Sequence, residues 1–95
     1  MAAYVIADVD VTDPAAYEEY RRLVPPIVAQ YGGRYLVRGG RVGKVEGDWT
    51  PKRMVVIEFE SLERAKQWYE SEEYKPVREI RFKAAISKLL IVEGE

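Results

Sequence analysis

The chain is predicted to fold as an α+β sandwich of the ferredoxin-like βαββαβ kind, a single domain over residues 1–95. Three observations lead there. Four short segments read as strands, most plainly residues 2–11, where apolar and polar side chains alternate with period two. Two longer segments carry apolar residues at helical spacing. Their order is strand, helix, strand, strand, helix, strand, so the second half repeats the plan of the first. Two such split βαβ units side by side give a four-stranded antiparallel sheet with the helices on one face, the first and third strands in the centre.

In the first strand Ala3, Val5, Ala7, Val9 and Val11 fall on one side and Tyr4, Ile6, Asp8 and Asp10 on the other. Thr12 or Asp13 then caps a helix, and Pro14 suits its first turn, where the missing N–H loses no hydrogen bond. Tyr17, Tyr20, Val24, Ile27, Val28 and Tyr31 form its apolar stripe. Pro25 and Pro26 each lack a backbone donor, and Pro26 pushes Pro25 away from helical geometry, so a kink or a break into two short helices is expected. Gly32 ends the helix in the left-handed conformation.

The segment GGRYLVRGG follows. Simple alternation puts Arg34, Leu36 and Arg38 on one face of the second strand and Tyr35 and Val37 on the other. The closing pair Gly39 and Gly40 permits a bend, a bulge or the close approach of another backbone or a ligand. Residues 45–52 hold Gly47, Asp48 and Pro51 and read as the hairpin turn into a strand over 53–60, with Val55, Ile57 and Phe59 facing one way. Ser61 is the next N-cap, and Leu62, Ala65, Trp68 and Tyr69 mark a buried helix face. Pro76 in SEEYKP restarts the helix, with Val77, Ile80 and Arg81 on its second piece. Residues 85–93 are the last strand.

Composition narrows the function. With 15 basic and 16 acidic residues, and no polybasic run, neither nucleic acid nor an anionic membrane surface is an expected partner. There is no histidine and no cysteine. Thiolate and imidazole metal ligands, disulfides and Ser-His-Asp chemistry are thereby excluded. No metal or cofactor is expected. GGRYLVRGG is no phosphate loop, because no lysine-serine follows it to open a helix. The N-terminal MAAYVIADVDV lacks the basic leader of a secretory signal, and no apolar run reaches the roughly 20 residues of a membrane span. The expected compartment is the cytoplasm.

Helices cover one face of the sheet only. The other is mixed: Tyr4, Ile6, Met54 and Val56 alternate into Asp8, Asp10, Glu58 and Glu60. An apolar patch of this kind is better buried than wet, so a homodimer through the sheet face is expected, with a monomer carrying a wet aromatic face as the alternative.

Several of these pieces in order carry a likeness: YGGRYLVRGG, VEGDW, a strand ending VIEF, A-x-x-WY-x-S-x-EY, an arginine, and a closing IVEG. Together, over nearly the whole chain, they resemble the uncharacterised family catalogued as domain of unknown function 1330. The resemblance implies the dimeric α/β-barrel superfamily, with paired sheets. That superfamily includes cofactor-free monooxygenases, lactone isomerases, haem enzymes and ligand-binding modules, so the likeness implies the fold more sharply than the activity.

The candidate chemistry rests on a few side chains. Arg38 can hold a carboxylate or enolate bidentately, or pair with Glu58 or Glu60 across the sheet. Glu58, between Ile57 and Phe59, becomes a general base or acid if desolvated, and an ordinary ion-pair partner if not. Tyr17, Tyr20, Tyr69 and Tyr74 can wall a pocket or simply pack the core, and Tyr20 and Tyr74 lie nearest the helix breaks. Ser71 caps the restarted helix or helps to form an anion site there. Arg81 supplies a matching cation, pairs with Glu58, Glu79 or Glu93, or is simply solvated. Trp49 and Trp68 read as interface and core anchors. The expected function is small-molecule binding between sheet and helices. It extends to cofactor-free proton-transfer, isomerase or monooxygenase chemistry if Glu58 and Arg38 act together. The alternative is a non-catalytic sensing or interaction dimer.

Overall fold

The alternation in the first strand sorts its side chains into two environments, and the rest of the fold follows from that sorting. The computed structural model describes residues 1–95. Its elements are β1 (Ala3–Val11), α1 (Pro14–Gln30), β2 (Arg34–Arg38), β3 (Met54–Phe59), α2 (Leu62–Tyr69), α3 (Tyr74–Ala84) and β4 (Ala85–Glu93). The strands form one antiparallel sheet in the order β2-β3-β1-β4. The predicted α+β ferredoxin-like fold is therefore the observed one, with β3 and β1 central.

Ala3, Val5, Ala7 and Val9 are buried beneath the helices, together with Ile57 and Phe59 of β3. Tyr17, Tyr20, Val24 and Val28 of α1 pack onto them. Burying a side chain of this size contributes roughly 1.5–3 kcal/mol. A line of rings joins the layers. The Phe59 ring centroid lies 5.4 Å from that of Trp68, and Trp68 stacks on Tyr74 at 4.4 Å. Tyr74 reaches Tyr20 of α1.

The caps follow their sequence signals. Asp13 Oδ1 accepts the Ala16 N–H and Ser61 Oγ accepts the Arg64 N–H. Ser71 Oγ donates to the Trp68 carbonyl at 2.8 Å and accepts the Tyr74 N–H at 3.1 Å, splicing the end of α2 to the start of α3. Pro76 stands in the first turn of α3, where a missing N–H is harmless.

Three expectations are corrected. The first concerns the expected break into two short helices: α1 runs as one helix through Pro25 and Pro26. Pro25 deprives the Arg21 carbonyl of its helical donor, and Arg38 Nη2 supplies the missing hydrogen bond at 2.9 Å.

The second concerns β2. Tyr35 pairs with Ile57 but Val37 with Val56, so Leu36 is an extra residue, a β-bulge. The bulge breaks the simple alternation. Arg34 opposes Glu58 and bonds it, Nε to Oε1 at 2.7 Å, whereas Arg38 opposes Val55 and reaches α1. The expected pairing of Arg38 with Glu58 or Glu60 is absent because Arg34 holds Glu58.

The third concerns the connection to β3, which is longer than a hairpin turn at 45–52 and occupies residues 39–53. Asp8 ties it down. Its Oδ1 accepts the Lys52 and Arg53 N–H groups at 2.9 and 3.4 Å, and its Oδ2 accepts Trp49 Nε1–H at 3.0 Å. The Trp49 bond, ahead of the two backbone bonds, holds the Asp8 carboxyl below the ordinary carboxylate value.

Gly39 begins this loop with φ +73°, and a Cβ there would run into the Arg53 guanidinium. Gly40 has no such conflict. Gly39→Ala should therefore lower stability by about 1–3 kcal/mol, read as a lower urea midpoint. Gly40→Ala should stay within about 0.5 kcal/mol of the parent.

Candidate functional site

The site arises where α1 cannot close completely on the sheet. Strand residues Val5, Ala7 and Ile57 form the floor of a cavity, and Tyr17, Tyr20 and Val24 of α1 form its roof. Trp68 of α2 and Arg81 of α3 close it on one side, and Tyr35 of β2 lies on the other. Its volume is about 30 Å³. The lining is mostly apolar but includes four arginines, Arg21, Arg38, Arg53 and Arg81, and no carboxylate.

Arg81 is the unusual member. The face of α3 that carries it also carries Tyr74, Val77 and Ala84, all buried, and helical spacing draws Arg81 in with them. It is only 4% exposed. Its Nε and Nη2 have no hydrogen-bond partner. The expected partners Glu58, Glu79 and Glu93 do not pair with it; it makes none of the ion pairs in the structure. Its charge-stabilising neighbours are the Tyr74 and Tyr20 hydroxyls and two aromatic faces. Its Cζ stands 5.2 Å from the Phe82 centroid and 6.0 Å from that of Tyr20.

The other three arginines stand nearer solvent. Arg21 Nη1 pairs with Glu18 at 2.7 Å while its Nε is buried and unpartnered. Arg53 lies 5.7 Å from the Tyr17 centroid. Arg38 is exposed and lies 4.9 Å from the Tyr35 centroid.

Above Arg81 the hydroxyls of Tyr20 and Tyr74 share a buried hydrogen bond of 2.8 Å. Burial first, and then the neighbouring Tyr74, pushes the Tyr20 hydroxyl well above the ordinary tyrosine value. Burial likewise pushes Tyr35 up to about 12. Both hydroxyls therefore keep their protons at neutral pH and can donate.

The structure thus brings Tyr20, Tyr74, Arg81 and Arg38 together and leaves three other candidates elsewhere. Glu58 pairs across β1 with Tyr4, on the sheet face away from the helices, and is engaged by Arg34. Ser71 is spent on the α2–α3 splice. Tyr69 is absent from the cavity lining; it faces an open groove beside β4 that shares Arg81 and Leu89 with the cavity, and it stacks with Arg78, Cζ 4.7 Å from its centroid. Arg21 and Arg53 also line the cavity, and their spacing in the sequence carries the signal. Arg21 follows Tyr17 by four and precedes Val24 by three, and Arg53 shares parity with Val55, Ile57 and Phe59.

Two outcomes test this geometry. Tyr20→Phe strands the Tyr74 hydroxyl and should cost about 1–3 kcal/mol in urea unfolding, while the double change to Phe at both positions should cost less than the sum of the two singles. The Tyr35 value lies above the unfolded 10.0, so its contribution to stability is complete below pH 10 and is lost as the pH rises through about 12. Tyr35→Phe should make the alkaline decline shallower by up to about 1.4 kcal/mol per pH unit.

The backbone has clear relatives. A protein of unknown function from Rhodopseudomonas palustris, RPA0582, superposes with a TM-score of 0.78 at 18% identity, covering 99% of this chain and 82% of that one. SnoaB, a cofactor-independent oxygenase from Streptomyces nogalater, superposes with a TM-score of 0.65 at 11% identity, covering 99% and 92%. An ethyl tert-butyl ether D (EthD) family protein from Bacillus halodurans gives 0.64 at 20% identity and covers 100% of both chains. These likenesses show a shared fold. No curated protein matches the sequence. The family described as Domain of unknown function (DUF1330) matches residues 2–95, and the chain therefore belongs to it.

Proposed function

We propose that this protein binds a small organic molecule in the cavity between sheet and helices, working in the cytoplasm as a homodimer with one cavity per subunit. The observation that carries the binding role is the cavity itself: an apolar, tyrosine-walled space that buries an arginine without a protein counter-charge. A core formed for stability alone would close over such a group or pair it.

The dimer rests on the opposite sheet face. Ile86 is 70% exposed and Leu90 57%, with Val92 beside them on β4, next to the half-buried Tyr4, Ile6 and Val56. Stacking a second sheet on this stripe removes it from water. Trp49 stands exposed on the loop held by Asp8 and would meet that partner.

A catalytic reading gains support from the shared backbone with a cofactor-independent oxygenase. In that reading Arg38 or Arg81 stabilises the negative charge of a substrate that enters already ionised, and the Tyr20–Tyr74 pair orients it by donating a hydrogen bond. Glu58, bonded to Arg34 on the outer face, fits an ion-pair role better than that of a base inside the cavity.

Native mass spectrometry of the untagged protein tests the binding role and the assembly together. The expected species is a dimer carrying a discrete additional mass. A stable monomer overturns the paired-sheet proposal. Methyl NMR shifts at Val5, Val24 and Ile57 on addition of small aromatic compounds are the second readout, and their absence across a broad set overturns the binding role.

A further inference from the structure

The N–H donors of the cavity greatly outnumber its acceptors. Nε and Nη2 of Arg81, Nε of Arg21, Nε of Arg53 and Nε1 of Trp68 are all buried without a hydrogen-bond partner. Every one belongs to a residue that lines the cavity. The only side-chain oxygens in the lining are hydroxyls of Tyr17, Tyr20 and Tyr35, and that of Tyr20 already bonds Tyr74. A guanidinium stays charged at any ordinary pH, and a buried charge is normally paired. Here no carboxylate of the protein pairs it; the Tyr74 hydroxyl is the polar side chain nearest to doing so.

The two free nitrogens of Arg81 are also the right two. Nε–H and the neighbouring Nη2–H form one edge of the guanidinium and point in parallel, the spacing that two carboxylate oxygens accept. Both are buried and free, and the residue is 4% exposed.

We propose that the ligand of this cavity is a planar organic carboxylate with an apolar, ring-sized body, its two oxygens held side-on by Nε and Nη2 of Arg81. The Tyr20–Tyr74 pair uses one hydroxyl proton between its two oxygens and has a second to give, which completes the anion's shell. The body of the acid lies against Val5, Ile57 and the Trp68 ring. A volume of about 30 Å³ is far below the roughly 150 Å³ of a cavity that admits a benzene ring. The acid therefore enters by displacing the more exposed side chains of Arg21, Arg38 and Arg53, while Arg81 stays in place.

This inference rests on the binding role proposed above, and matched ligand pairs separate the two. Benzoate with benzamide, and phenylacetate with phenylacetamide, are titrated at fixed ionic strength against the full chain and followed by thermal shift and methyl NMR. Each acid should bind at least tenfold more tightly than its amide. In Arg81→Met that ratio should fall to about one, with an unfolding temperature equal to or above that of the parent, because an unpaired buried charge has been removed. Amides binding as well as acids would overturn the carboxylate assignment and leave the binding role standing. No binding by either class would overturn both. A tenfold preference that survives in Arg81→Met would overturn the assignment to Arg81. If Arg81→Met does not fold, Arg81→Lys keeps the charge and loses the fork. Its acid-to-amide ratio should then fall below the parent's, and an unchanged ratio would overturn the side-on geometry.

Discussion

The helical side of this protein hangs on one line of aromatic rings. Phe59 of β3 meets Trp68 of α2, Trp68 stacks on Tyr74 of α3, and Tyr74 reaches Tyr20 of α1. Every helix is fixed to the sheet or to a neighbour through a member of this line. The last link is a hydrogen bond, so it fixes orientation as well as distance. Burying Tyr74 completely also commits the residues one and two turns further along α3. Arg81 is one of these, and its burial follows from the packing of the ring seven residues before it. The site and the core are products of the same contacts.

Two local departures from regular structure complete the arrangement, and they depend on each other. Pro25 leaves a carbonyl on α1 without a donor, and the bulge at Leu36 turns Arg38 toward that carbonyl. Without the bulge, parity would send Arg38 to the face where Arg34 meets Glu58. The extra residue thus lets a five-residue strand serve both sides of the sheet.

The fold was legible because its signals are local. Parity in β1 and in β3, the caps at Asp13 and Ser61, the glycine after α1 and the restart before Pro76 each depend on a few neighbouring residues. The failures share a different cause. Whether a proline breaks α1 depends on a donor from β2, and which glutamate an arginine meets depends on one inserted residue in a ladder. Arg81 was marked by its place on the helix, but its lack of a partner is a property of everything packed around it. Arg21 and Arg53 have the right spacing, but a charged residue within an apolar pattern is normally a surface residue, so the pattern alone does not mark them.

The absence of histidine has a consequence for how the cavity meets a changing environment. Its arginines hold their charge throughout the biological range, and the Tyr20 and Tyr35 hydroxyls are held protonated well past it. Nothing in the lining is a carboxylate. The electrostatic character of the cavity is therefore constant from mild acid to mild alkali. Any response to acidity must come from the guest, whose own ionisation decides whether it is admitted.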